Sequence, residues 1–554
     1  MRKKCLILSF ALLFGAAGCA VSPSESQPPS SEPPGSTGQV TSAPSPSSEE
    51  SPESAPTPDV SLEQTPDISP DALPEQSPDA PSVIPNAPNP ETPGEPLAMS
   101  LGDTPSVGAF LGFGAETDFY FTLNKNTERG VGPDDIAMLT ARMKEMKLAA
   151  GRVFFSYNWW EPIEGRRGEE FPVWLDFLNS LTMMKEAGAE VNICPWGDYF
   201  GYAPWQKVSF GQRSPEGEAL AKTADSLCEM LRYLIVDLGY TNIRYLTLVN
   251  EPDNQSRDNP YDHGLYMELA VLVDQTLRDM GIRDRLYIVG ADASSWSEGV
   301  DPWFRDTFDA DTGRIFDGYA SHSYKYNVRA MAMVEQWIGR RVKLLSEITE
   351  KHTDLIVGEF GMYGEENGTY WQPKTLTYEY GLFIGAFSLT AVNHGAAQVL
   401  YWNLTDTYVT LDNSSASPGD INFRTGYGLW QYKDKNNWEA KPGYYSYSML
   451  SSKTAKGDSV YPVVSGNEDV FGSAFVSPSG ELTVSVVNLK DTAYSVTMDL
   501  GETFDGRMLD YYPFSEEALP VNSRLIPKSG AVTVTGGKVV FHVPANGMAV
   551  VSER

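Results

Sequence analysis

Short apolar runs alternate with amphipathic stretches along most of the chain. Runs of four to eight apolar residues between turn residues read as buried strands, and apolar positions recurring every three to four residues read as helices. On this basis strands are expected at 109–114, 150–155, 191–195, 243–249, 286–291, 318–322, 355–358 and 398–403. Helices are expected at 134–147, 173–187, 216–238, 261–280, 328–351 and 377–393, with one at 442–451 after the eighth strand. Eight such alternations over about 350 residues predict an α/β fold, a (β/α)8 TIM barrel. A doubly wound sheet would need a glycine-rich loop opening a helix after its first strand, and Gly112, Gly114, Ala115, Glu116 and Thr117 lead into no such start. Beyond about Ala455 the helical period stops. Runs at 482–488, 495–500, 531–535 and 538–543, separated by Gly, Asn, Asp and Ser turns, predict a small C-terminal β-sandwich domain over 455–554, which leaves 97–454 for the barrel.

The first 96 residues follow neither pattern. Arg2, Lys3 and Lys4 precede an apolar run too short to span a bilayer, and Gly15, Ala16, Ala17 and Gly18 lead to Cys19. Small residues directly before a Cys resemble the lipobox of bacterial lipoproteins, which implies a signal peptide over 1–19 and a lipid anchor on Cys19. Residues 20–96 are Pro, Ser, Glu and Asp with almost no large apolar side chains, so they read as a disordered tether. Fully extended at about 3.1 Å per residue it would reach on the order of 200 Å. The expected location is the extracellular face of a bacterial membrane, in a Gram-positive source, with the chain a monomer.

Charge divides along the same border. The 554 residues hold 73 Asp plus Glu against 42 Lys plus Arg, a net charge of −31. The tether carries 13 of these acids and no base, so the rest of the chain is only moderately acidic. Nucleic acid is excluded as a partner, because phosphate binding needs clustered cations. Cys194 and Cys228 read as buried thiols. The five histidines are scattered, so neither a metal site nor a cofactor is expected.

A barrel does its chemistry at the C-terminal ends of its strands. Strand four ends in Asn250-Glu251-Pro252 and strand seven in Gly358-Glu359-Phe360, 108 positions further on. A Glu at the end of a buried strand is costly unless it is hydrogen-bonded or faces a cleft, so two of them point to a site. With them stand Arg152 on strand two, His322 and Tyr324 in a His-Ser-Tyr run after strand six, and Trp402 at the end of strand eight. This set, spread over about 102–451, resembles glycoside hydrolase clan A, the retaining (β/α)8 glycosidases.

The resemblance implies that Glu251 is the protonated acid/base and Glu359 the nucleophile, kept anionic by hydrogen bonds from Arg152 and Tyr324. It further implies that Asn250 binds a sugar hydroxyl and that Trp402 lies under the sugar. The Phe-Gly-Ala run at 113–115 and the C-terminal sandwich look like families 30 and 39, whereas the His-Ser-Tyr run and Arg152 look like family 5. Outside the motif order, Arg152 would equally suit a structural ion pair and His322 a core position. Trp196 is expected to bind substrate, and Trp159, Trp160, Tyr199, Tyr202 and Trp205 divide between sugar stacking and loop packing. Trp430 and Trp438, in the loop 405–441, are expected to shape one end of the cleft. Asp198, Asp253, Glu116 and Glu161 read as surface acids. The leading expectation is a retaining hydrolase of a β-linked glycan. A non-catalytic glycan-binding lipoprotein and a transglycosylase using the same residues remain as alternatives.

Overall fold

The computed structural model describes residues 87–554 except 198–200, 210, 255–260, 295–302, 305–314, 349–352, 364–371, 410–425, 434–436 and 521–522. The expected signal peptide with Cys19, the tether up to residue 86, Asp198 and Tyr199 lie outside the described residues.

The first strand, β1 (Glu95–Leu101), does not enter the barrel. The barrel is built from β2 (Gly112–Glu116), β3 (Ala150–Phe155), β4 (Glu190–Pro195), β5 (Ile243–Thr247), β6 (Tyr287–Ala293), β7 (Gly318–Lys325), β8 (Asp354–Met362) and β9 (Ala396–Tyr401). They pair in parallel in that order, and β9 returns to β2 to close the cylinder. Around it lie α1 (Pro133–Met146), α2 (Pro172–Ala187), α3 (Glu218–Arg232), α4 (His263–Asp279), α5 (Met331–Ile348), α6 (Tyr378–Asn393) and α7 (Pro442–Ser451). Local chemistry sets several helix ends. Pro occupies the first turn of α1, α2 and α7, where a missing N–H costs nothing. The Asp262 carboxylate accepts from Leu265 N–H at the start of α4, and Gly188 closes α2 in the left-handed region at φ 81°.

The remaining strands are β10 (Ser459–Ser465), β11 (Val470–Val476), β12 (Leu482–Asn488), β13 (Tyr494–Asp499), β14 (Met508–Phe514), β15 (Gly530–Thr533), β16 (Lys538–Val543) and β17 (Gly547–Ser552). With β1 they form one nine-stranded array in the order β15-β14-β17-β12-β11-β10-β1-β13-β16. It encloses its own apolar core, including Val484, Val496, Met498, Phe541 and Val551. β1 is an interior strand, seventh of the nine, parallel to β13 and antiparallel to β10. The sequence border at 96/97 therefore cuts through a strand of the C-terminal domain. Leu97, Met99 and Leu101 alternate as a strand should, but nothing local reveals that its partners lie more than 350 residues away.

The two domains share an interface on α6. That helix is apolar on every side and buried from Tyr380 to Val392, as a helix covered on both faces must be. Tyr378 stacks on Phe514, and the Asn393 side-chain Oδ1 accepts from Ser473 Oγ at 2.7 Å.

Candidate active site

Side chains alternate along a strand, so one inward-facing residue fixes the next two positions away. Ala150, Tyr245, Val289, Ala320, Ile356 and Leu400 form an apolar layer inside the barrel. One step nearer the C-terminal mouth, β3 presents Arg152, β7 His322 and the end of β9 Trp402. Alternation alone does not suffice on β6 and β8, where the pairing slips between Gly290 and Ala293 and between Val357 and Phe360. At the first slip Ala291 takes a left-handed φ of 56°. These irregularities bring Asp292 and Glu359 to the same centre as Arg152 and His322. Glu251 follows β5, also left-handed at φ 41°. Arg213 clamps that turn, donating through Nη1 to the Glu251 carbonyl at 2.7 Å and through Nη2 to the Asn250 carbonyl at 3.1 Å.

Arg152 is the buried hub. Its Nη1 donates to Glu359 Oε1 and to Glu116 Oε2, both at 2.9 Å, while Nη2 donates to Asn250 Oδ1 at 2.8 Å and Asp292 Oδ2 at 2.7 Å. Tyr324 OH donates to Glu359 Oε2 at 2.8 Å. His322 lies between the acids, with Nδ1 2.9 Å from Glu251 Oε1 and Nε2 3.1 Å from Asp292 Oδ1. Asn254 Nδ2 donates to Glu251 Oε2 at 2.7 Å. Glu251, His322 and Glu359 each bring one ligand-type atom to within 4.8 Å of the others. These three could hold a metal ion by type, a grouping that their sequence scatter did not suggest. In the structure His322 bonds Glu251 and lies 3.4 Å from Glu359, beside a guanidinium that already supplies positive charge.

The electrostatics follow from burial and pairing. Burial would push Asp292 up, but Arg152 and His322 outweigh it and bring its carboxyl to about 2. Burial would push His322 down, yet Glu359 and Asp292 raise it well above the ordinary imidazole range. For Glu359 burial dominates: it rises to about 7 although His322 and Arg152 pull it down, with Glu251 and Asp292 adding to the rise. The expected donors to Glu359 are thus in place, but they do not keep it fully anionic below neutrality.

The expected residues converge, with some changes of role. Asn250 Oδ1 accepts from Arg152 Nη2, which orients the amide, and its Nδ2 group is the donor it can offer a sugar hydroxyl. Trp402 packs with Phe154, Cys194 and Tyr427 at the mouth, and Trp196 meets Phe154 edge-on at 4.2 Å between ring centroids. Trp159, Trp160 and Tyr202 are buried in the main core and belong to loop packing.

Trp430 and Trp438 are also buried, and the Trp438 indole donates to Asp135 Oδ1 at 2.8 Å. They anchor their loop against α1 and do not line a cleft, because each ring is covered by neighbouring aromatics and helix residues. Glu116 and Asp253 are not surface acids either. Glu116 pairs with Arg152, and Asp253 accepts from Ser294 N–H at 2.7 Å, joining the segment after β5 to the end of β6. Asp292, Arg213 and Asn254 were not singled out. Asp292 could have been, since it follows the apolar run 286–291 as directly as Glu359 follows its own.

No family model matches the chain, and no curated protein matches it. Its fold is similar to that of several solved structures. One is a GH30 endoxylanase from Clostridium papyrosolvens C71, with TM-score 0.58 and 14% identity, covering 83% of this chain and 99% of that one. Another is an endo-β1,6-glucanase, with TM-score 0.59 and 16% identity, covering 84% of this chain and 95% of that one. A third is a GH51 arabinofuranosidase from Xanthomonas axonopodis pv. citri, with TM-score 0.55 and 13% identity, covering 82% and 99%. At such identities the likeness is one of fold. The chain has the TIM-barrel architecture found in these GH30 and GH51 glycoside hydrolases.

Proposed function

We propose that the chain is a retaining glycoside hydrolase acting on a β-linked glycan, with Glu359 as nucleophile and Glu251 as acid/base. The observation that carries this reading is the approach of the two carboxyl groups, with oxygens within 4.8 Å of each other at the mouth of the barrel. Retention by double displacement requires a separation of roughly 5 to 5.5 Å, whereas inversion needs room for a water between the carboxyls. In the first step an ionised Glu359 oxygen attacks the anomeric carbon, the glycosidic C–O bond breaks, and Glu251 gives its proton to the departing oxygen. In the second, Glu251 takes a proton from water, which displaces Glu359 from the anomeric carbon. Arg152 and Tyr324 hold both nucleophile oxygens in place, and Trp402 with Trp196 offers ring faces to a sugar.

Xylans and β-glucans are the first substrates to test, since they are the kinds of polymer that two of the similar folds are named for. Lipid attachment at Cys19 and an extracellular position belong to the same reading, because a surface hydrolase meets polymers that cannot enter the cell. The test is a screen of β-glucans, mannans, xylans and galactans with product sizing, followed by Glu359→Ala. That variant should be inactive alone and should yield an inverted glycosyl azide when azide is added. Hydrolysis by Glu359→Ala without an added nucleophile would overturn the assignment, and glycan binding without turnover across the panel would favour the non-catalytic alternative.

A further inference from the structure

His322 has an unusual pair of neighbours. Each ring nitrogen faces a carboxylate oxygen, Nδ1 towards Glu251 Oε1 at 2.9 Å and Nε2 towards Asp292 Oδ1 at 3.1 Å. An ionised carboxylate can only accept hydrogen bonds, so whichever ring nitrogen faces one must carry a hydrogen. Asp292 is held ionised by its second contact, Oδ2 accepting from Arg152 Nη2 at 2.7 Å. Three further groups surround the imidazole or its partners. Glu359 Oε2 lies 3.4 Å from Nδ1, Arg152 bonds both Asp292 and Glu359, and the buried Cys194 Sγ lies 3.9 Å from Asp292 Oδ2. The surroundings of the ring are anionic, and its side chain is fully buried.

The backbone makes room for this arrangement. Gly358 immediately precedes the nucleophile, and a Cβ there would stand 2.6 Å from Asp292 Oδ1 and 3.2 Å from His322 Nε2. Any larger residue would push the carboxylate and the ring apart. The left-handed Ala291 just before Asp292 belongs to the same construction.

We propose that Asp292 is a positioning residue for the acid/base: by holding His322 as a doubly protonated donor it commits Glu251 Oε1 to hydrogen bonding and confines proton transfer to Oε2. This rests on the reading of Glu251 given above. When the leaving group departs, the proton on Oε2 passes to the glycosidic oxygen with the electron pair of the broken C–O bond, and His322 keeps both of its own protons. In the second step Oε2 recovers a proton from water. Asn254, whose amide lies 2.7 Å from Oε2, is then the neighbour that must accommodate both protonation states. A neutral His322 that donates to Asp292 would present an Nδ1 lone pair to Glu251 and draw its proton to Oε1, facing the ring.

Histidine labelled with 13C at Cε1 reports the imidazole charge directly in the full chain, with His322 assigned by its loss in His322→Gln. The His322 signal should stay at the imidazolium position from pH 5.5 to 8.5 in the unaltered chain and should titrate inside that range in Asp292→Asn. A titration of the unaltered chain below pH 7, or an unmoved signal in Asp292→Asn, would overturn the proposal. Asp292→Asn removes a carboxylate as well as the imidazolium charge, but His322 acts on Glu359 more strongly than Asp292 does and touches Glu251 directly, so both neighbouring carboxyls keep their protons to higher pH. Both limbs of the kcat/KM profile of Asp292→Asn should therefore move upward by roughly one unit. A merely structural role would lower Tm and leave both limbs where they were. Gly358→Ala, which keeps every ionisable group, should show the same titration if Asp292→Asn fails to fold. Should no glycan be hydrolysed, the assignment of function fails, while the resonance still decides the state of His322.

Discussion

At the N-terminal end of the barrel Ala150, Ala320 and Leu400 point inward from evenly alternating strands, whereas two residues further along the same strands stand Arg152, His322 and Trp402. The lower layer asks only for volume, and any set of apolar side chains that fills it will do. The upper layer asks for partners. Arg152, Asp292, His322 and Glu359 are buried there with Glu251 half-buried beside them, and each is tolerated because another group meets it. The pairing slips at both ends of the barrel, between Val191 and Asn192 and between Leu355 and Ile356 below as well as near the mouth, but only the slips near the mouth deliver charged side chains to the centre. Alternation would have turned Asp292 and Glu359 away from the centre, and the slips on β6 and β8 bring them back. The left-handed residues Ala291 and Glu251 add strain of order 1–3 kcal/mol each, held by the packing below.

Four experiments would break or sharpen this contrast. Glu359→Ala should reduce hydrolysis by about four orders of magnitude or more while leaving Tm unchanged or higher, since it removes a buried carboxyl. A falling Tm would mean that the upper layer is as structural as the lower. Arg152→Met should cost about 3–5 kcal/mol in a urea melt, because Glu116, Asp292 and Glu359 lose their shared cation at once. Ile356→Ala in the lower layer should cost roughly 2–5 kcal/mol through the cavity it leaves and should spare kcat in the folded protein. A large loss of kcat there would show that the two layers are coupled.

The smallest effect concerns pH. Glu359 rises to about 7, so the ionised form that the proposed reaction needs as nucleophile is present above that value and is lost as the pH falls through it. The kcat/KM profile should drop about tenfold per unit below pH 7, or about 1.4 kcal/mol per unit. An acidic limb near pH 4 would mean that Arg152 and Tyr324 outweigh burial.

What the sequence made legible follows the same division. Hydrophobic period located all eight barrel strands, matching β3 residue for residue, and strand-end position marked Glu251 and Glu359 before any contact was known. Arg152, His322, Tyr324 and Trp402 were found through their order along the chain. Residues that work by supporting others were not legible. Arg213 comes from a long loop between β4 and α3, and its role exists only through the carbonyls of Asn250 and Glu251. Glu116 looked like a surface acid because its partner is 36 positions away. Trp430 and Trp438 looked like cleft residues because aromatic rings in a loop give no local sign of whether they will be covered. β1 was misplaced for a related reason, since a single alternating strand does not say which sheet it joins.

That strand also sets an order of events during synthesis. β1 leaves the ribosome more than 350 residues before β10 and nearly 400 before β13, the two strands it pairs with. The barrel can close while β1 waits unpaired, with its N–H and C=O groups open on both edges. The C-terminal sheet is completed last and from both ends of the chain at once. A nascent chain halted after β9 would therefore hold a closed barrel and a single unsatisfied strand, the state in which chaperone capture or mispairing should be greatest.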